Sequence, residues 1–332
     1  MKITILGSGT WGTALANLLA KKGEDVTLVS ALPKDASYLL AHHCHPHLPG
    51  VLLEPSIHYG STVAEAIPNQ DVVVFAAPSK YFRATAKKAA PYLSPKTILV
   101  SVSKGIEEGS LFTMSEILQD EDHAFHPVVV LSGPSHAEEV AVGLPTCVVS
   151  SSHDDKAAKT IQHLFSTPYF RVYTNRDPHG VELCGAFKNI LALASGISDG
   201  LGYGDNAKAA LMTRGIAEMR RLGQKSGCQD ETFFGLAGVG DVIVTATSKH
   251  SRNRLCGSYL GQGIPYEEAV NRVGMVVEGV LLLPALKELE NRYEVELPIA
   301  DFVYEVCFHR RDPRDGISVL LGRALKSECD NG

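Results

Sequence analysis

The chain begins with an apolar, β-branched run, Lys2-Ile3-Thr4-Ile5-Leu6, which feeds into Gly7-Ser8-Gly9-Thr10-Trp11-Gly12 and then Thr13-Ala14-Leu15-Ala16-Asn17-Leu18-Leu19-Ala20. Strand, glycine turn and helix in that order form the context in which Gly-x-Gly-x-x-Gly cradles a dinucleotide. Gly7 allows the tight turn, Gly9 lets backbone approach a diphosphate, and Gly12 lets the helix pack on the strand. The helix start adds free N–H groups and a partial positive charge. The motif points to a nucleotide and is silent on the chemistry done with it.

Short buried runs continue through the first half. Residues 24–29, 71–77, 97–102 and 127–132 read as strands, and 81–90 and 154–165 as helices. Residues 147–149 and 170–173 are expected as edge strands. Such runs, separated by helix-length segments, predict a Rossmann-like α/β domain: a doubly wound, mostly parallel sheet with helices on both faces. From about Val181 helical periodicity takes over, with helices expected over 182–198, 207–226, 266–272, 280–293 and 298–308. An all-α C-terminal domain follows. The division expected is 1–180 for dinucleotide binding and 181–332 for a helical substrate-binding and catalytic domain, with a long connecting helix as one place for the boundary. The polar tail after Ala324 is expected to fray.

A net charge of −6 and a pI near 6.1 argue against non-specific nucleic-acid binding. No apolar run approaches the ~18 residues of a membrane span. The first strand starts at once, so no signal peptide is expected. The 7 cysteines lack metal-knuckle spacing and are odd in number, which fits free thiols in a reducing cytoplasm.

Four constellations can carry chemistry. Lys104, in Ser103-Lys104-Gly105, follows a predicted strand at the end that faces the ligand crevice; it suits a phosphate or carbonyl, or is a solvated loop lysine. In Ser132-Gly133-Pro134-Ser135-His136-Ala137, free turn N–H groups suit a substrate oxygen, while Ser135 with Glu138 also reads as a capping box. Lys188 stands in the apolar stretch Ala186-Phe187-Lys188-Asn189-Ile190. Burial there disfavours the ammonium and would make it a base near neutral pH, unless the side chain snorkels to solvent. Finally, Gly238-Val239-Gly240-Asp241 precedes Ser251-Arg252-Asn253, a hydroxyl, guanidinium and amide set suited to phosphate. A surface salt bridge is the alternative for Arg252.

Together these residues resemble the bacterial-type NAD(P)-dependent glycerol-3-phosphate dehydrogenases, from Gly7 to about Gly322. The most specific pieces are Ser132-Gly133-Pro134-Ser135, Glu182-Leu183 through Lys188-Asn189, Gly238 to Asp241 and Ser251-Arg252-Asn253; Met275-Val276-Val277-Glu278-Gly279 is similar to a further family motif. The resemblance implies a cytoplasmic enzyme feeding phospholipid synthesis, with homodimerisation as an option. It implies Lys188 as proton acceptor for the secondary alcohol and Lys104 as a contact to cofactor and substrate. Gly133, Ser135, Asp241, Ser251, Arg252 and Asn253 would surround glycerol phosphate. Thr10, Trp11, Ala137, Arg252, Val276 and Glu278 would contact the dinucleotide, beside Gly7, Gly9 and Gly12. The substrates implied are the small molecules glycerol 3-phosphate and dihydroxyacetone phosphate, and the cofactor NADP or NAD.

Two features depart from pattern. An acid about 20 positions beyond the glycines would hold the adenosine ribose in an NAD enzyme, but the second strand ends Val29-Ser30-Ala31-Leu32. Lys34 is available for a 2′-phosphate and Asp35 for a ribose, so NADP is expected to be accepted. The tract His42-His43-Cys44-His45-Pro46-His47 hints at metal only by composition, and no metal site is expected. Another two-domain dehydrogenase acting on a hydroxy or sugar acid is the rival enzyme reading. A non-catalytic cofactor-sensing module would need no set of Lys188, Asp241 and Arg252.

Overall fold

The computed structural model describes residues 1–325, 327 and 328. Most of the tail expected to fray, at 326 and 329–332, lies outside them. The chain forms two compact units, Met1–Lys104 with Phe112–Glu182, and Gly105–Leu111 with Leu183–Gly332.

The first unit runs β1 (Lys2–Leu6), α1 (Thr10–Lys21), β2 (Asp25–Val29), α2 (Pro33–His42), β3 (His58–Gly60), α3 (Val63–Ala66), β4 (Val72–Phe75), α4 (Ser79–Ala89), β5 (Ile98–Ser101), α5 (Met114–Glu121), β6 (Val128–Ser132), α6 (Ala137–Ala141), β7 (Thr146–Ser151), α7 (Asp155–Phe165) and β8 (Phe170–Asn175). The strands make one sheet in the order β3-β2-β1-β4-β5-β6-β7-β8. All neighbours are parallel except β6 and β7. β8 is an edge as expected. β7 is not, because it pairs on both sides.

Alternation along the strands builds two cores. Val72 and Val74 join Ile3, Ile5 and Leu28 on one face, while Val73 and Phe75 join Leu6, Val29 and Phe82 on the other. A strand buried on both faces has no polar side, which is why these segments read as unbroken apolar runs. In this first unit the sequence reading missed α2, β3, α3 and α5. β3 and α3 are too short to show a period. α5 begins at a capping box, with Thr113 N–H donating to the Glu116 carboxylate at 2.7 Å.

Helix α8 (Pro178–Gly200) contains the change of unit between Glu182 and Leu183. Among the described residues it is the one helix long and apolar enough to cross a membrane, and its apolar window is wholly buried, as in a core helix. The second unit continues with α9 (Asp205–Lys225), α10 (Asp230–Phe234), α11 (Asp241–Thr247), α12 (Arg252–Gly261), α13 (Tyr266–Val273), α14 (Glu278–Tyr293), α15 (Pro298–Phe308) and α16 (Gly316–Leu321). It holds no strand among the described residues.

Glycines let α8 and α12 touch backbone to backbone. A Cβ on Gly196 would stand 2.0 Å from the Arg254 carbonyl oxygen, and one on Gly257 would stand 2.1 Å from that of Leu193. Gly200 and Gly261 repeat the contact one turn on, against Ser258 and Ile197. This seam holds α12 along its length against the last two turns of α8.

Candidate active site

In the first unit the turn after β1 has the geometry of a dinucleotide cradle. Leu6 pairs with Phe75, so the carboxyl ends of β1 and β4 lie side by side where the strand order reverses. Gly7 has φ +124°, and a Cβ there would meet the Ala76 carbonyl oxygen at 2.7 Å. A Cβ on Gly12 would stand 2.0 Å from the Gly7 carbonyl oxygen. Around Gly9, by contrast, nothing lies within 4 Å of a Cβ position. Two glycines are demanded by the protein's own packing, and the third faces open space beside the start of α1, which suits a diphosphate. Thr10 and Trp11 open that helix, half-buried. Ala137 opens α6, buried against the same core.

The loops after β5 and β6 meet at one carbonyl. Lys104 Nζ donates to the Gly133 oxygen at 3.2 Å and Ser135 Oγ donates to it at 3.0 Å. Lys104 is thus half-buried and engaged rather than loose in solvent. The capping box expected at Ser135 is absent: α6 starts one residue later, at Ala137, with His136 at its cap and no side-chain cap bond. Gly133 has φ +137° with Val148 3.1 Å from a Cβ position, so a side chain there would be strained and crowded.

In the second unit Lys188 is buried, 7% exposed, and Asp241 is wholly buried. Lys188 does not snorkel. Its Nζ donates to Asp241 Oδ1 at 2.5 Å and to Thr245 Oγ1 at 2.7 Å, and Thr245 Oγ1 donates to Asp241 Oδ1 at 3.2 Å. The carboxylate opposes the desolvation of the ammonium and, with Thr245, fixes the position of Nζ. Asp241 is brought there by a π-helical turn over Leu236–Gly240, in which Gly240 N–H reaches back to the Gly235 carbonyl at 3.2 Å. Gly238 permits that turn, since a Cβ would stand 2.0 Å from the Phe233 oxygen. Sequence reasoning passed over Thr245 as a partner; the four-residue step from Asp241 on one helix face was its available signal.

The set Ser251-Arg252-Asn253 divides by role. Ser251 Oγ caps α12 by accepting Arg254 N–H at 3.2 Å. Asn253 Nδ2 donates to Asn189 Oδ1 at 2.9 Å, and Asn253 Oδ1 accepts Gly279 N–H at 2.9 Å, tying α8, α12 and α14 together. Arg252 alone is exposed. Among the described residues no carboxylate pairs with it, unlike Arg254, which bonds Asp199 at 2.7 Å. A guanidinium at the first position of a helix is opposed by the helix dipole, and its exposed fork has the chemistry to take an anion. Val276 is exposed, and Glu278 begins α14.

Glu182, in the family-like stretch, has another task. It is fully buried and accepts Ser115 N–H at 2.8 Å and the Ser115 hydroxyl at 2.5 Å, at the start of α5. Burial pushes its carboxyl up to about 7. Lys34 and Asp35 lie on the first turn of α2, Lys34 exposed. The histidine tract gathers no metal set; among the described residues no group of three or more His, Cys, Asp or Glu is so placed.

Known proteins match this chain over nearly its whole length. Residues 2–158 match the family described as NAD-dependent glycerol-3-phosphate dehydrogenase N-terminus, and residues 177–318 its C-terminus. Glycerol-3-phosphate dehydrogenase [NAD(P)+] 2 of Lactobacillus delbrueckii subsp. bulgaricus is 48% identical, covering 98% of each chain. The Bacillus subtilis glycerol-3-phosphate dehydrogenase [NAD(P)+] is 46% identical over 99% of this chain and 96% of its own. The crystal structure of glycerol-3-phosphate dehydrogenase from Coxiella burnetii superposes with a TM-score of 0.93 at 37% identity, covering 97% of this chain and 99% of that one.

Proposed function

Because this chain belongs to the NAD-dependent glycerol-3-phosphate dehydrogenase family, we propose that the side chains gathered in its two units divide one reaction between them. The protein is an oxidoreductase that interconverts sn-glycerol 3-phosphate and dihydroxyacetone phosphate with NAD(H) or NADP(H). That reaction supplies glycerol 3-phosphate for phospholipid synthesis.

Residues 1–180 are assigned to the dinucleotide, through Gly7, Gly9, Thr10, Trp11, Gly12, Lys104 and Ala137. Residues 181–332 are assigned to substrate and proton transfer, with Arg252, Val276 and Glu278 as further dinucleotide contacts. Lys188 is the acid and base. In carbonyl reduction its ammonium gives a proton to the oxygen that becomes the secondary hydroxyl; in oxidation the free amine takes it back. Asp241 and Thr245 hold Nζ on its line of approach and stabilise the charge it regains. Arg252 takes the phosphate, so binding energy at the far end of the substrate orients the reacting carbon. Ser251 and Asn253 support it, and Lys104, Gly133 and Ser135 are assigned substrate contacts from the first unit. When bound, the nicotinamide supplies or accepts the hydride.

The buried Lys188–Asp241–Thr245 ring carries this reading, since a cofactor-sensing module has no use for a paired, positioned ammonium in a helix core. Initial rates of NADH and NADPH oxidation with dihydroxyacetone phosphate test it; absence of turnover with both overturns it. Because β2 ends without an acid and Lys34 is exposed on the next turn, turnover with NADPH is expected.

The described cysteines are all free thiols, which supports a cytoplasmic enzyme. The homodimer is assigned from the family resemblance alone. A monomer by light scattering at every concentration overturns that assignment.

A further inference from the structure

One member of the histidine tract is turned onto the glycine loop. His45 Nε2 lies 3.1 Å from the Ser8 carbonyl oxygen, and His45 Nδ1 lies 3.1 Å from the backbone N of His47. A backbone N–H can only donate, so Nδ1 accepts and Nε2 carries the proton given to Ser8. Thr13 Oγ1 donates to the same oxygen at 3.2 Å. The peptide joining Ser8 to Gly9 is planar and trans, so its C=O and N–H point in opposite directions. Two donors on the oxygen therefore fix the direction of the Gly9 N–H. Gly9 is exposed at the cap of α1.

The loop carrying His45 is itself anchored. Leu53 N–H donates to the His43 oxygen at 2.8 Å, Leu48 N–H to the His45 oxygen at 2.9 Å, and Glu54 N–H to Asn17 Oδ1 of α1 at 2.9 Å. The ring is half-buried. Burial and the neighbouring His47 both disfavour its charged form, against the opposing pull of the Ser8 carbonyl and Asp35.

We propose that His45 is a positioning residue for the cofactor: its Nε2–H bond to the Ser8 carbonyl locks the peptide plane from which the Gly9 N–H meets the diphosphate of NAD(H) or NADP(H). The inference rests on the reading that the Gly7-Ser8-Gly9 turn holds that diphosphate. It needs no contact between imidazole and cofactor.

Trp11, the chain's only tryptophan, adjoins the turn, and quenching of its emission measures binding without turnover. NADH and NADPH are each titrated into wild type, His45→Phe, His45→Gln and Thr13→Val. His45→Phe fills the volume without a donor and is expected to weaken the better-bound cofactor about tenfold, the worth of one hydrogen bond at a fixed peptide. Turnover at saturating cofactor should stay within about twofold of wild type, so the loss falls on the cofactor KM. His45→Gln keeps an amide donor and is expected within about threefold of wild-type affinity, with Thr13→Val between the two. Equal binding by His45→Phe and wild type overturns the proposal. So does His45→Gln binding as weakly as His45→Phe, which would mean that ring packing matters and the donor does not. Wild type that binds neither cofactor overturns the cofactor reading itself, and this inference with it.

Discussion

The two units build their candidate sites by different physics. In the first, backbone does the work: three glycines, each with a different steric demand, open one helix N-terminus. In the second, side chains do it: a lysine, an aspartate and a threonine close a buried ring, and an arginine stands unpaired outside. Backbone recognition depends on short spacing and on which residues lack a Cβ. Side-chain recognition depends on which helices meet, and here that is set by the glycine seam between α8 and α12. The first kind is expected to tolerate varied side chains around it, whereas the second is expected to fail when one group is removed.

The contrast is open to direct tests. The largest effect is expected for Lys188→Ala, which should lower kcat about a thousandfold, the scale of general acid–base catalysis. Quenching of Trp11 by NADPH should be unchanged; wild-type turnover would remove Lys188 from the mechanism. Arg252→Ala comes next. It should raise KM for dihydroxyacetone phosphate by about thirtyfold, as for a lost charge-assisted contact. Because no carboxylate among the described residues pairs with Arg252, its melting temperature should match wild type, and a large fall would reassign it as structural.

Gly9→Ala should fold normally, since nothing lies within 4 Å of the new methyl, yet lose cofactor affinity about tenfold if that space is the proposed seat of the diphosphate. Gly7→Ala should instead lower thermal stability, with the Ala76 oxygen 2.7 Å from the methyl. Equal behaviour of the two would break the division between packing and binding glycines.

The smallest effect concerns stability alone. Glu218 on α9 accepts the Ile299 and Ala300 N–H groups at the start of α15, and burial raises its carboxyl from 4.5 to about 8. The folded state therefore keeps this proton up to about pH 8, while the unfolded chain releases it near 4.5. Between those values the folded state binds more protons, so the contribution of Glu218 is greatest in acid and falls as pH rises. Glu218→Gln should flatten that part of a denaturation series from pH 5 to pH 8. An unchanged slope would show that Glu218 is ionised throughout.

Several features were plain in the residues. The turn at Gly7, the apolar strands, and Lys188 as a cation inside an apolar helix were all legible. So was the resemblance carried by Ser251-Arg252-Asn253. Others were not. The capping box read at Ser135 did not form, because α6 begins at Ala137 and Ser135 turns to the Gly133 carbonyl. β7 was expected at an edge and proved internal, because sequence reports that a segment is apolar and not which strands flank it. Arg252 and Asn253 are adjacent, and nothing in their order says that one is free while the other bridges three helices.

Taken alone, the sequence determined what depends on neighbours along the chain: alternation, helical period, and the positions where a glycine must stand. Tertiary structure decided what depends on residues far apart. It turned Lys188 from a candidate base into half of an ion pair with Asp241, by way of a π-helical turn that one glycine allows. It also turned His45 from part of a metal-like tract into a donor for the Ser8 carbonyl. The reason is the same in both cases. A buried polar group must find a partner, and only the fold says which partner is within reach.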